Sequence, residues 1–178
     1  MRWKNGRWRL ATTDRVFLED VVVPFFLADS GIRRVLDLGI AWYTRSYPRL
    51  YKGVQYWTVD IDPEKTQIAG PNHRTVSATR LTDEFDPETF DLVVCNGVIG
   101  WGVNTPADVE QALDACADVL RADGWLVVGW NDVEGHRVPD LDEQFARRFR
   151  REIFPPVQAD HFIPETAYGH RFDFFRKR

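Results

Sequence analysis

Residues 35–62, VLDLGIAWYTRSYPRLYKGVQYWTVDID, constrain the fold more than any other stretch of the chain. They hold two apolar runs, Val35-Leu36-Asp37-Leu38 and Tyr56-Trp57-Thr58-Val59, each closing on a Gly or an Asp. Short runs rich in β-branched and aromatic residues, with no polar alternation, suit strands buried on both faces of a parallel sheet. Asp60 follows Gly39 by 21 residues. At about that spacing in nucleotide-binding α/β units, a carboxylate closing the second strand accepts ribose hydroxyls.

The rest of the chain continues the strand–helix alternation. An amphipathic helix is expected over about residues 14–28, with Thr12, Thr13 and Asp14 as cap candidates and a kink or break at Pro24. Asp62 caps a turn with Pro63 at its first position, and residues 74–77 read as a third strand. Residues 90–96 form a fourth, doubly buried strand. Thr105-Pro106-Ala107-Asp108 starts a helix that ends before Gly124, and residues 125–130 form a fifth strand. Residues 141–151 read as a helix with a basic outer side, and two strands follow, the better at 172–175, antiparallel at or near the sheet edge.

These segments resemble the class I S-adenosylmethionine-dependent methyltransferases. Residues 35–39 match the family's first motif and 59–64 its second-strand end; 90–96 and 120–128 continue the match in order, over roughly residues 30–135. The resemblance implies an α/β fold: a Rossmann-like doubly wound sheet, mostly parallel, of about seven strands with an antiparallel C-terminal strand. One departure stands out. The family's loop places glycines at 39, 41 and 43, where this chain has Gly39, Ala41 and Tyr43.

Length and composition fit this picture. A chain of 178 residues with 44% apolar and 28% charged residues supports one globular domain, 1–178. It has no run of 18 apolar residues and no apolar signal core after Met1. Cys95 and Cys116 fall in a strand and a helix, so both are expected reduced and buried, consistent with cytoplasm. Neither belongs to a C-x-x-C pair, and no metal site is expected. A net charge of −4 argues against a general nucleic-acid binder. Residues 1–13 interleave cations with indoles; they read as a solvated end or as a basic, aromatic flap over an acidic substrate.

Under the resemblance, ligands gather at the carboxyl ends of the strands. Asp60 is the ribose candidate, with helix capping as its alternative. Asp37 either hydrogen-bonds amides of its own loop or helps hold the cofactor's ammonium group. Gly39 and Ala41 let the loop backbone approach the cofactor, Ile61 belongs to the same set, and Ser77 or Thr79 stands where the family often carries an Asp toward the adenine amino group, so that contact is weakened or missing. Asn96, Gly97 and Trp101 complete the cofactor set; Trp101 either lies beside the adenine in a glycine-rich wrap or packs as core. Asn131, Asp132 and His136 close the fifth strand on the acceptor side; the pKa of a histidine suits proton removal there, with a surface loop histidine of no role as the alternative for His136. His161 and His170 are read as structural.

Trp42 and Tyr43 stand where a phosphate-cradling loop needs small residues, which disfavours a nicotinamide dinucleotide. After the fourth strand, Asn96-Gly97-Val98-Ile99 is not an Asn-Pro-Pro-aromatic run, so DNA base methylation is not supported. The expected activity is methyl transfer from S-adenosylmethionine to a small molecule, with residues 1–13, 97–105 and 131–140, alone or with a second subunit of a homodimer, covering the acceptor. The bulky loop leaves an alternative open: a non-catalytic relative without cofactor that binds a partner.

Overall fold

The computed structural model describes residues 2–4 and 7–178, with side chains from Leu10 onward. At the N-terminus β1 (Arg2–Lys4) pairs antiparallel with β2 (Arg7–Arg9), Trp3 opposite Trp8. The basic and aromatic side chains of the expected flap lie outside the described residues.

The main sheet comprises β3 (Arg34–Leu38), β4 (Gln55–Asp60), β5 (His73–Thr75), β6 (Phe90–Asn96), β7 (Leu120–Asn131), β8 (Phe149–Arg151), β9 (His161–Phe162) and β10 (His170–Lys177). Its order is β5-β4-β3-β6-β7-β10-β8, with β9 also pairing with β10. Neighbours from β5 to β7 are parallel, while β10 runs antiparallel to β7, β8 and β9. The expected doubly wound sheet is therefore the observed one. The chain reverses its winding direction between β3 and β6, and the carboxyl ends of those strands open a crevice.

The helices cover both faces. On one face lie α1 (Thr13–Phe17), a π-helical turn (Leu18–Val22), α2 (Val23–Ala28) and α3 (Tyr47–Leu50). On the other lie α4 (Pro106–Val119) and α5 (Leu141–Arg148). Pro24 does not break the first helix. The π turn immediately before it widens the coil, which relieves the clash between a proline ring and the preceding turn. None of the described helices is long and apolar enough to cross a membrane.

Three boundaries differ from the sequence reading. Helix α4 stops at Val119, and the chain enters β7 at once, with Asp123 at φ 56° near a register shift against β6. Helix α5 stops at Arg148, and Phe149–Arg151 becomes strand β8 because it completes the ladder beside β10. The third strand ends at Thr75, where Ser77 caps a 3-10 turn instead. The basic side of α5 faces α4, with Arg147 on Glu110 and Arg148 on Asp114 and Asp118.

Strand alternation divides the core. Leu36, Leu38, Val93, Cys95, Leu126 and Val128 pack toward α4 and α5. Val35, Leu92, Val94, Val127, Phe172 and Phe174 pack toward α1, α2 and α3. By the same alternation Asp37, Asn96, Gly129, Asn131 and His170 face the α1 side. The polar residues of the crevice thus share one face of the sheet.

Candidate active site

Three adjoining cavities follow the strand ends. One of about 230 Å³ is lined by Asp60, Ile61, Ser77 and Val103 among others. A second, about 200 Å³, lies against Ile40, Ala41, Tyr43, Thr44 and Lys65. The largest, about 500 Å³, is lined by Asp14, Asn96, Trp101, Asn131, Tyr168 and His170, with Leu10 and Thr12 at its rim. Gly97 borders all three, and Gly39 and Asp60 border the first two. Gly97 has φ +73°, and a Cβ there would project into open space, so its backbone is a floor that ligand atoms can approach.

The turn after β3 is fixed from β4. Asp60 accepts the Ile40 amide through Oδ2 at 2.9 Å and the Asp62 amide through Oδ1 at 2.9 Å. Lys65 Nζ donates to Asp60 Oδ2 at 3.2 Å and to the Ile40 carbonyl at 2.6 Å. Asp62 takes the cap role through the Glu64 amide. Asp37 stands apart from the residues that line the crevice. Its side chain faces α1 and accepts the Tyr56 hydroxyl at 2.8 Å, away from its loop's amides and outside the lining of all three cavities. Burial pushes its carboxyl up to about 7, against the pull of Tyr56 and Arg15.

The two bulky loop residues leave the crevice open. Trp42 is 59% exposed and points outward, its ring meeting Tyr43 edge-on. Tyr43 forms a wall, its ring 4.4 Å beneath the Arg15 guanidinium. Arg15 donates to the hydroxyls of Tyr47 at 3.0 Å and Tyr43 at 3.3 Å, and it borders both the largest and the smallest cavity.

On the far side, His170 joins two carboxamides: Nδ1 lies 2.7 Å from Asn131 Oδ1, and Nε2 lies 3.0 Å from Asn96 Oδ1. Burial drives the imidazole pKa down to about 4, so the ring is neutral at pH 7. A neutral imidazole donates through one nitrogen only, so one of the two carboxamides presents its NH2 to the ring. Gly129 makes this bridge possible. A Cβ there would lie 1.8 Å from Asn96 Oδ1 and 2.9 Å from His170 Nε2. Tyr168 donates to Asp14 Oδ1 at 2.6 Å and closes the cavity on the α1 side.

Of the residues singled out in the sequence, Gly39, Ala41, Asp60, Ile61, Ser77, Asn96, Gly97, Trp101 and Asn131 line the crevice. Thr79 stands behind Ser77, donating its amide to Ser77 Oγ. Trp101 is not core: it is 57% exposed and stacks on His136 at 4.1 Å. His136 Nδ1 meets the Gly100 carbonyl at 2.7 Å, so this histidine fastens two loops together and does not line the acceptor cavity. Asp132 pairs with Arg137 at 2.7 Å and borders a separate depression. Asp14, Arg15, Tyr168, His170 and Gly129 were missed. Charged Asp14, Arg15 and Glu19 inside an apolar helix pattern, and a lone Gly inside a β-strand run, were the available signals.

A family model described as a methyltransferase domain matches residues 36–128. Among solved structures, the N-methyltransferase NodS from Bradyrhizobium japonicum WM9 superposes with a TM-score of 0.69 at 15% identity, covering 89% of this chain and 93% of that one. A TehB-like SAM-dependent methyltransferase from Corynebacterium glutamicum gives 0.64 at 22% identity, covering 90% and 88%. The 1,6-didemethyltoxoflavin-N1-methyltransferase of Burkholderia thailandensis, solved with 1,6-didemethyltoxoflavin and S-adenosylhomocysteine, gives 0.61 at 19%, covering 96% and 92%. No curated protein matches the sequence.

Proposed function

Because the chain belongs to the methyltransferase-domain family, we propose that it transfers a methyl group from S-adenosylmethionine to a small molecule. One observation carries the reading: Gly97 sits where two smaller cavities meet a larger one, so a ligand lying along the first two presents its centre to the third. When bound, S-adenosylmethionine supplies an electrophilic methyl carbon on a sulfonium. The adenine end fits beside Ile61 and Ser77, and the ribose beside Asp60. The amino-acid end fits against Ala41 and Tyr43, with Arg15 as counter-charge to its carboxylate. Asn96 and Trp101 border the junction. Two relatives of this fold were crystallised with S-adenosylhomocysteine, and one of them holds a small heterocycle as well, which supports the cofactor and the acceptor class.

Alignment is the main contribution required of the protein, because the donor is already activated. The Asn96–His170–Asn131 bridge fixes two carboxamides at the acceptor face. The loops of His136 and Gly100, pinned to each other, limit water entry on one side. Asp132 and Asp37 act through those loops and strands without touching ligand. The proposal includes a cytoplasmic setting and allows a homodimer.

A second reading, a family member that has given up the cofactor, is favoured by Lys65, whose ammonium already sits on the Asp60 carboxylate. Calorimetric titration with S-adenosylhomocysteine separates the two. We expect binding in the micromolar range by the wild type and a loss of at least about tenfold in Asp60→Ala, equal to ~1.4 kcal/mol. A folded wild type that gives no heat would establish the second reading.

A further inference from the structure

We infer that the 500 Å³ cavity takes a small aromatic amine as methyl acceptor, its nitrogen held on the Asp14 carboxylate between the rings of Tyr43, Trp101, Tyr168 and His170; the inference rests on the methyl-transfer reading.

Asp14 is the feature that demands an occupant. It stands in the first turn of α1 yet is only 6% exposed, and it lines the cavity where a first-turn acid ordinarily faces solvent. A buried carboxylate is costly unless it is hydrogen-bonded and its charge is met. The Tyr168 hydroxyl supplies a bond to Oδ1 from 154 residues away in sequence. Arg15, next in sequence, turns its guanidinium to Tyr43 and Tyr47, so its charge lowers the Asp14 pKa through space but leaves the carboxylate's cavity side uncovered. The anion is thus held ready within a wall of aromatic rings, and carboxylate plus ring faces is the chemistry that recognises an ammonium or amine.

The same groups argue against other acceptors. A carboxylic acid would meet Asp14 as a like charge. An alcohol or phenol needs a base, and both nitrogens of His170 are already engaged by Asn96 and Asn131. Burial works against ionisation of Asp14, but the Tyr168 hydroxyl and the nearby Arg15 charge hold it below the usual carboxylate range, and burial keeps His170 neutral. Neither group is poised to take a proton from a hydroxyl near pH 7. An arylamine is already unprotonated at neutral pH, so it brings its own lone pair and needs no base before the transfer. The nitrogen forms a bond to the methyl carbon as the carbon–sulfur bond breaks, and that electron pair returns to sulfur. The sulfonium becomes a neutral thioether, and the positive charge passes to nitrogen beside Asp14, where the carboxylate stabilises it. The extra proton on the methylated nitrogen then leaves to water.

The test compares aniline, phenol and benzoate by calorimetry, with and without saturating S-adenosylhomocysteine, and by transfer of labelled methyl. The amine is expected to bind at least about tenfold tighter than either analogue and to be the one methylated. Asp14→Asn should abolish that preference while leaving S-adenosylhomocysteine affinity within about twofold, and Asp14→Glu should restore it. Equal or tighter binding of the phenol or the acid overturns the inference. So does amine affinity that survives Asp14→Asn in a protein with unchanged melting. A wild type that binds the amine but not S-adenosylhomocysteine overturns the methyl-transfer reading alone and leaves the amine site standing.

Discussion

The two halves of the crevice are built by opposite strategies. The half around Asp60 is local: Ile40, Asp60 and Lys65 hold one another across sequence separations of 20, 5 and 25 residues. The half around His170 is assembled from afar, its bonds spanning 39, 74 and 154 residues. The first is a strand–turn–strand unit that any sequence with the right runs encodes. The second exists only once β10 has inserted beside β7 and α1 has settled over the sheet. On the proposed reading, the local unit is a reusable cofactor seat, and the long-range one can be altered residue by residue to change the acceptor.

Two buried titratable groups on the α1 side of the sheet, Asp37 and His170, oppose each other in pH. Asp37 has a raised folded pKa, about 7 against 3.8, so its contribution is fully present below pH 3.8 and is lost as pH rises through about 7. His170 has a depressed one, about 4 against 6.5, so its contribution is present above pH 6.5 and is lost as pH falls through about 4. At ~1.4 kcal/mol per pKa unit, the swings are on the order of 4 and 3 kcal/mol. In the wild type they nearly cancel between pH 4 and 7. Urea titrations across that window should therefore show Asp37→Asn gaining stability with pH and His170→Gln losing it. Parallel profiles for the two variants would show that the groups are not opposed.

The same contrast explains what was legible in the sequence. Strands β3, β4 and β6 are continuous apolar runs, and the turn chemistry beside them is written within a few residues. Asp60 could thus be picked out, although Lys65, five residues on, was not read as its partner. The partners of Asp37 are not legible locally, because its environment, Tyr56 and Arg15, comes from other elements. His136 drew attention for its place at a strand end, yet its ring is turned to Gly100 and Trp101. His170, Tyr168 and Asp14 carry no motif; only the antiparallel insertion of β10 brings them together. The early start of β7 comes from pairing with β6, Leu120 opposite Phe90, and the conversion of residues 149–151 to strand from pairing with β10.

Gly129→Ala is the sharpest way to damage one half alone. The new methyl would overlap the Asn96 carboxamide and press on His170, in a strand flanked on both sides, so neither the backbone nor the bridge can yield easily. Overpacking of this kind costs about 1–3 kcal/mol. We expect a lower melting temperature and acceptor turnover reduced by at least about tenfold, with S-adenosylhomocysteine affinity nearly unchanged. Cofactor affinity that fell in step with turnover would mean that the halves do not act separately.

Trp101 is the residue that the halves share, bordering both the adenine-side cavity and the acceptor cavity. Its ring is largely exposed and its main support is the stack on His136, so removing it should cost the fold no more than about 0.5–1.5 kcal/mol. Trp101→Ala therefore isolates ligand contact from folding. If the indole closes over both ligands, S-adenosylhomocysteine and the amine probe should each weaken severalfold, and binding one should no longer assist the other. If only the amine weakens, Trp101 belongs to the acceptor half, and the boundary between the two strategies lies at Gly97. The decisive quantity is the change in amine affinity on adding S-adenosylhomocysteine, measured in both proteins. Coupling carried by a shared wall disappears with that wall, whereas coupling carried by the strand ends survives it.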